Sequence, residues 1–363
     1  MKTRTLLTVV GARPQFIKAS ALSRRLAQST QIDELLVHTG QHFDDNMSSV
    51  FFEELQIPSP RYNLGIAGGS HGQMTGEMLA KLEEVMMRER PEMVLVYGDT
   101  NSTLAGALAA AKLCIPIAHI EAGLRSFNRA MPEEVNRVLT DHCSDLLFTP
   151  TSAASAQLLK EGINAERITE VGDIMLDVAL HTRASLTTPH PLLTQLKVID
   201  RPFVLATIHR QENTDDPVRL RAIFEGLKAL STSLPVVLPL HPRTKKRLSE
   251  HGLEDLLSGL ALCDPLGYRE MVALESEAAL IVTDSGGVQK EAFFHQTPCL
   301  TLRDETEWTE LVESGWNSLL VPVDPHQICA TALNTIGKVG EAVEPYGRGD
   351  TAERIYQTLI ARI

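Results

Sequence analysis

TLLTVVGARPQFIK, residues 5–18, decides how the chain is built. Residues 5–10 are apolar or β-branched throughout, without the alternation that one solvent face would impose. They therefore read as a parallel strand covered on both sides. The apolar run stops at Gly11, well short of a secretory hydrophobic segment, so the N-terminus imitates a signal peptide for only a few residues. Pro14 then suits a helix start, where its missing N–H breaks no hydrogen bond. Strand, polar turn and helix follow one another within this single stretch.

The same pattern recurs along the chain. ELLVH (34–38), MVLVY (93–97), PIAHI (116–120), LLFT (146–149) and ITEV (168–171) read as further strands. Amphipathic stretches such as 71–90 and 102–113 separate them as helices. A second round begins with FVLATI (203–208) and continues with PVVLPL (235–240), LALC (260–263), ALIVT (279–283), PCLTL (298–302) and LLV (319–321). Two rounds of alternation over 363 residues imply an α/β protein of two doubly wound, Rossmann-like domains. Their junction falls either in the polar, proline-bearing TTPHPLLTQ (187–195) or directly after VGD (171–173). The second choice gives domains at 1–173 and 174–345, followed by a C-terminal helix at 346–363.

Hydrophobic residues make up 43% and charged residues 22%, the balance of a globular enzyme. A net charge of −12 argues against a broad nucleic-acid footprint, so an anionic ligand needs a local cluster of cations or backbone N–H groups. The five scattered cysteines include no C-x-x-C pair and fit free thiols in a reducing cytoplasm. No stretch is long and apolar enough to insert in a membrane.

Open parallel sheets bind ligands beyond the carboxyl ends of their strands. Nearly every expected strand here ends in polar, titratable or glycine-rich residues, which implies a cleft between two facing domains. TDSGGVQKEA (283–292) follows a strand and opens a helix. Ser285, Gly286 and Gly287 would present N–H groups to a diphosphate at the positive helix end, with Glu291 one turn on for a ribose diol. The plainer reading is a serine cap and a tight turn. GARPQFIK sets Arg13 and Lys18 around the first strand–helix turn, although Arg13 alone could be a solvated loop cation. Asp99 ends a strand in YGDTNSTLAG, where Asp, Thr and Asn are all ordinary helix caps. In PEEVNR, Glu133 and Glu134 complement a helix dipole, and Glu133 stands at i, i+4 spacing from Arg137. HRQEN (209–213) sets His209 beside Arg210, but its spacing is not that of a zinc helix. No G-x-G-x-x-G, P-loop or G-x-S-x-G occurs, so nicotinamide, metal and acyl-transfer chemistry are poor fits.

GARPQFIK, HTGQHFD, YGDTNSTLAG, HIEAGLRSF, MPEEVNR, HRQEN, SGGVQKEA and RDETEW, in that order, resemble the non-hydrolysing UDP-N-acetylglucosamine 2-epimerase family over nearly the whole chain. The resemblance implies a glycosyltransferase-B-like fold with the active site in the interdomain cleft, a UDP-2-acetamido-sugar substrate, no cofactor or metal, and a homodimer. It assigns catalytic positions to Asp99, Glu121, Glu133 and His209. It assigns substrate and UDP binding to Arg13, Lys18, Arg137, Ser285, Gly286, Gly287 and Glu291.

Two departures bear on the sugar. Gln15 stands where many members have Glu, and Trp308-Thr309 where many have Arg-Pro. With HTGQHFD these point to a branch acting on UDP-2,3-diacetamido-2,3-dideoxyglucuronate, whose carboxylate would want Arg125, Arg129 or Arg243. UDP-N-acetylglucosamine is the default substrate. A retaining glycosyltransferase, a hydrolysing epimerase and a non-catalytic UDP-sugar sensor are the rival readings.

Overall fold

The computed structural model describes residues 3–41, 52, 55 and 57–363. It comprises two α/β units, Met1–Val178 with Glu344–Ile363, and Ala179–Val343. The first holds strands β1 (Arg4–Val10), β2 (Ile32–His38), β3 (Tyr62–Asn63), β4 (Met93–Tyr97), β5 (Ile117–Ile120), β6 (Leu146–Thr149) and β7 (Ile168–Glu170). The second holds β8 (Val204–Thr207), β9 (Val236–Pro239), β10 (Ala261–Cys263), β11 (Leu280–Thr283), β12 (Cys299–Leu302) and β13 (Asn317–Leu320).

All described pairings are parallel. The sheet orders are β3-β2-β1-β4-β5-β6-β7 and β10-β9-β8-β11-β12-β13. Each sheet therefore has one switch point where the winding reverses, between β1 and β4 in the first unit and between β8 and β11 in the second.

The unbroken apolar runs are explained by burial on both faces. In the second unit Val204, Ala206 and Val282 join one buried cluster with Leu220, Ile223, Phe224 and Leu227 of helix Pro217–Ser231. Their neighbours Leu205 and Ile281 enter another with Leu192, Leu193 and Phe203. In the first unit Leu7, Val9, Val94 and Val96 cluster with Met78, Leu82 and Met86 of helix His71–Glu89. Each such side chain contributes about 1.5–3 kcal/mol when fully buried. Helix Asn101–Lys112 lies close against that sheet because its inner face is small. A Cβ on Gly106 would come within 3.2 Å of both Val9 and Val96.

Helix Thr351–Arg362 packs on helix Arg13–Leu26. There the Arg25 guanidinium pairs with Glu353 and lies 3.5 Å from the Tyr356 ring centroid. Among the described residues no helix is long and apolar enough to cross a membrane.

Two strands differ from the sequence expectation. β3 has only two residues and no apolar run to announce it. The expected LLV strand is shifted back to Asn317–Leu320. Asn317 can open it from a buried position because its amide is satisfied: it donates to Gln289 Oε1 at 3.0 Å and accepts from Thr301 Oγ1 at 2.8 Å.

Candidate active site

In the first unit the expected residues gather at the carboxyl ends of β1, β4 and β5. Arg13 opens helix Arg13–Leu26 on its exposed side. Lys18, one turn further on, donates to the Glu121 carboxylate just past β5. Gly98, at the end of β4, is wedged against this pair. A Cβ there would meet Glu121 Oε2 at 3.3 Å and Lys18 Nζ at 3.6 Å, and its φ of 62° already favours glycine. Glu121 itself has φ 73°, a left-handed backbone that costs a non-glycine residue roughly 1–2 kcal/mol. Strain of this kind concentrates where a side chain must be aimed.

Asp99 does not cap the helix that follows. Thr100 does so, its side chain accepting from Thr103 N. The Asp99 carboxylate instead accepts from Arg137 Nη2 at 2.5 Å, and its carbonyl from Asn136 Nδ2 at 2.9 Å. Helix Pro132–Cys143 thereby joins the strand ends.

The i, i+4 pair between Glu133 and Arg137 does not form. Arg137 turns to Asp99 and to Glu134, whose Oε2 lies 3.1 Å from Nη1. Glu134 is the structural member of the carboxylate pair. It is buried and accepts from Ser126 N (2.8 Å), Ser126 Oγ (2.9 Å) and Phe127 N (2.9 Å). Burial alone would raise its pKa, but these donors and Arg137 outweigh burial and bring it below the ordinary carboxylate value. Glu133 remains half-buried, with no hydrogen bond or ion pair among the described residues.

The Arg125 cation expected for a sugar carboxylate is already committed. Its side chain is 3% exposed, held by Asp141 at 2.7 Å and, in bidentate fashion, by Glu161 at 2.8 and 2.7 Å. Arg243 is likewise engaged with Asp215, at 2.9 and 2.8 Å. Arg129 is exposed and has no ion pair among the described residues.

In the second unit the expected groups flank the switch point between β8 and β11. Ser285 occupies the N-cap position of helix Gly286–Phe294, yet its side chain makes no capping bond, so its hydroxyl is not used as the plainer reading required. A Cβ on Gly287 would have no neighbour nearer than 4.0 Å, whereas one on Gly286 would stand 2.5 Å from Glu307 Oε1. Glu291 follows on the same helix. His209 is 42% exposed beyond β8, and its ring lies 5.9 Å from that of His241. Burial, and after it the charges of His209 and Arg243, hold the His241 imidazole below its ordinary pKa.

Several contributors lie within the quoted motifs at positions to which the sequence assigns no site role. Asp284, fully buried, accepts from His209 N (3.0 Å), Arg210 N (3.0 Å) and Asn213 Nδ2 (3.1 Å), tying the HRQEN loop to the glycine turn. Trp308 Nε1 donates to Gly286 O at 2.9 Å, and Lys290 lies 4.4 Å from the Trp308 ring centroid, so ETEW braces that turn. Gln15 fastens the first turn: Oε1 accepts from Gly11 N (2.8 Å) and Ala12 N (3.0 Å), while Nε2 donates to Tyr97 O and Thr103 Oγ1, each at 2.9 Å. An ionised Glu could not donate to the Tyr97 carbonyl. In HTGQHFD, Gln41 Oε1 accepts from Ser102 N at 3.0 Å, and residues 42–44 lie outside the described ones.

Among the described residues no three His, Cys, Asp or Glu side chains gather as a metal-binding group. A separate hollow of about 950 Å³ in the second unit, lined by Arg183, His190, Arg201 and Glu277 among others, contains none of the expected groups.

Two parallel-sheet units with polar groups at both switch points define an α/β enzyme of the glycosyltransferase-B-like class. The UDP-N-acetylglucosamine 2-epimerase family matches residues 24–360, and the chain belongs to it. It is an epimerase, and so an isomerase.

The UDP-2,3-diacetamido-2,3-dideoxy-D-glucuronate 2-epimerase of Pseudomonas aeruginosa is 52% identical over 98% of this chain and 99% of its own. The UDP-N-acetylglucosamine 2-epimerase of Methanocaldococcus jannaschii is 45% identical, over 98% of each chain. A crystal structure of the M. jannaschii enzyme in complex with UDP-GlcNAc and UDP matches with a TM-score of 0.83 at 43% identity, over 99% of this chain and 100% of that one.

Proposed function

We propose that this chain inverts C2 of a UDP-linked 2-acetamido sugar, with UDP-N-acetylglucosamine as substrate and UDP-N-acetylmannosamine as product. The observation that carries the reading is the pair of cation-bound carboxylates at the ends of β4 and β5, Asp99 on Arg137 and Glu121 on Lys18.

The C2–H of such a sugar is not activated by a carbonyl, so the reaction begins at C1. The C1–O bond breaks, both electrons leaving with the diphosphate, and the C2 proton becomes acidic. A carboxylate from the set Asp99, Glu121 and Glu133 takes that proton, giving UDP and a 2-acetamidoglucal. A diphosphate oxygen then adds back to C1 while a proton reaches C2 on the opposite face. Acid–base groups are therefore needed on both faces of the ring, and the departing diphosphate needs positioned donors. We assign the donors to Ser285, Gly286 and Gly287, with His209 beside them, and the ribose to Glu291. Arg13, Lys18 and Arg137 serve as substrate-binding cations. Turnover in heavy water, followed by proton NMR, tests the scheme. Deuterium at C2 of the product supports it, and a product that keeps its C2 hydrogen overturns it.

The 52% identity to the P. aeruginosa diacetamido-glucuronate enzyme favours that uronate as a second reading of the sugar, by the same mechanism. We further propose a cytoplasmic homodimer. Free cysteines support the compartment. The exposed Met131, Val135 and Leu139, four residues apart along one helix, support an apolar face for a second copy. Light scattering on Leu139→Glu tests the dimer.

A further inference from the structure

Below the ends of β4 and β5 lies a cluster of ionisable side chains that the proposed reaction does not use. His119 and Asp141 have no solvent exposure, and Arg125 and Glu161 complete the group. The positions of its protons follow from the partners. His119 Nε2 lies 2.8 Å from the Gly98 carbonyl oxygen, which can only accept, so Nε2 carries a hydrogen. His119 Nδ1 lies 2.7 Å from Asp141 Oδ1. Two lone pairs would repel at that separation, so a proton lies between them as well. The other Asp141 oxygen accepts from Gly123 N at 3.1 Å and lies 2.7 Å from Arg125 Nη1. Burial opposes ionisation of Asp141, yet His119 and Arg125 together bring its carboxyl below the ordinary value. A carboxylate that already faces the Arg125 guanidinium and the Gly123 N–H is held ionised by them, so the shared proton belongs to the ring.

We infer that His119 is held as a buried imidazolium, and that it is the positioning residue which sets Asp99 and Glu121 for proton transfer. The cluster then balances two positive charges against two negative ones, as a buried ionic group requires. Its connections reach every acid–base element of the first unit. Through Gly98 it fixes the peptide that precedes Asp99. Through Asp141 and Gly123 it anchors the turn that keeps Glu121 at φ 73°. Asp141 also lies one turn beyond Arg137 on helix Pro132–Cys143, whose first turn carries Glu133.

The inference rests on the epimerase reading for its catalytic consequence, though not for the state of the ring. Asp141→Asn separates charge from shape. The amide oxygen can accept from Gly123 and Arg125 while its NH₂ donates to Nδ1, so the hydrogen-bond frame survives and the ring becomes neutral. Nitrogen-15 NMR of imidazole-labelled wild-type protein, with His119 identified by its change in Asp141→Asn, should show both ring nitrogens protonated under the conditions of the activity assay. One bare nitrogen in the wild type overturns the inference. In Asp141→Asn the neutral ring donates a weaker hydrogen bond to the Gly98 carbonyl than an imidazolium does, so Asp99 is held less firmly and kcat should fall about 10- to 100-fold, with KM and calorimetric UDP affinity unchanged. Wild-type kcat in this variant also overturns it. A wild type inactive on both UDP sugars would refute the epimerase reading instead, and with it the catalytic consequence, while the NMR arm still decides the ring.

Discussion

Arg137 Nη2 lies 2.5 Å from Asp99 Oδ2 while Nη1 of the same guanidinium lies 3.1 Å from Glu134 Oε2. One side chain thus bridges a strand-end carboxylate and a helix-start carboxylate, and it leaves Glu133 out.

Adjacent glutamates should consequently fail in opposite ways. Glu133→Gln should keep wild-type stability and lose about 10²–10⁴-fold in kcat, the usual effect of removing a positioned acid or base. Glu134→Ala should lose about 1–3 kcal/mol of stability, because it strands the Ser126 and Phe127 N–H groups. Thermal melts beside steady-state kinetics separate the two. A Glu133→Gln enzyme with normal turnover would return that residue to the ordinary role of a helix-start carboxylate.

Acid should act on the same frame. Glu134 and Asp141 both have folded-state pKa values below their ordinary ones. A lowered carboxylate contributes stability that is present above its unfolded pKa and is lost as pH falls through the folded one. Urea midpoints should therefore hold steady near neutrality and drop below the ordinary carboxylate range. Glu134→Gln should flatten part of that drop, and an unchanged acid limb in this variant would show that Glu134 is not its source.

The two glycines of the helix start invite a paired test. Gly287→Ala adds a methyl group with no neighbour nearer than 4.0 Å, so melting should be unaffected, while UDP binding should weaken if the diphosphate sits at this helix start as proposed. Gly286→Ala drives a Cβ to 2.5 Å from Glu307 Oε1, the far end of a side chain that can swing aside, so it too should cost little stability while it weakens UDP binding. Calorimetry showing wild-type UDP affinity for Gly287→Ala would remove the diphosphate from this helix.

The sugar is decided by comparing kcat/KM for UDP-N-acetylglucosamine and the diacetamido uronate. Arg125→Ala should destabilise the fold by about 3–5 kcal/mol, because it strips Glu161 of its bidentate partner and leaves the buried Asp141 with His119 alone to balance it. It should not change the ratio of the two sugars in whatever protein remains folded. Arg129 is the candidate for reading a C6 carboxylate, and Arg129→Ala should lower kcat/KM for the uronate alone. An equal loss on both sugars would end that assignment.

The strands were legible because burial on both faces leaves an unbroken apolar run, as in MVLVY, whose limits Met93 and Tyr97 are those of β4. The strand-end groups were legible because parallel sheets put ligands there. What escaped the sequence depends on where the chain returns in space. Spacing joins Glu133 to Arg137, but the loop at Ser126 and Phe127 comes back over Glu134 and makes that residue the frame. Arg125 reads as an available cation in sequence, but Glu161, 36 positions later, closes on it. Asn317 hides a strand start because its buried amide is satisfied by Gln289 and Thr301, which no hydropathy pattern records.

Asp284 has a mechanical consequence. Its carboxylate grips His209, Arg210 and Asn213 while its own backbone leads directly into Ser285. The histidine loop and the glycine turn are therefore riveted into one lever. A diphosphate leaving the site proposed here could not loosen one without tugging the other, and a transplant of the glycine turn into another sheet would have to carry the HRQEN loop with it.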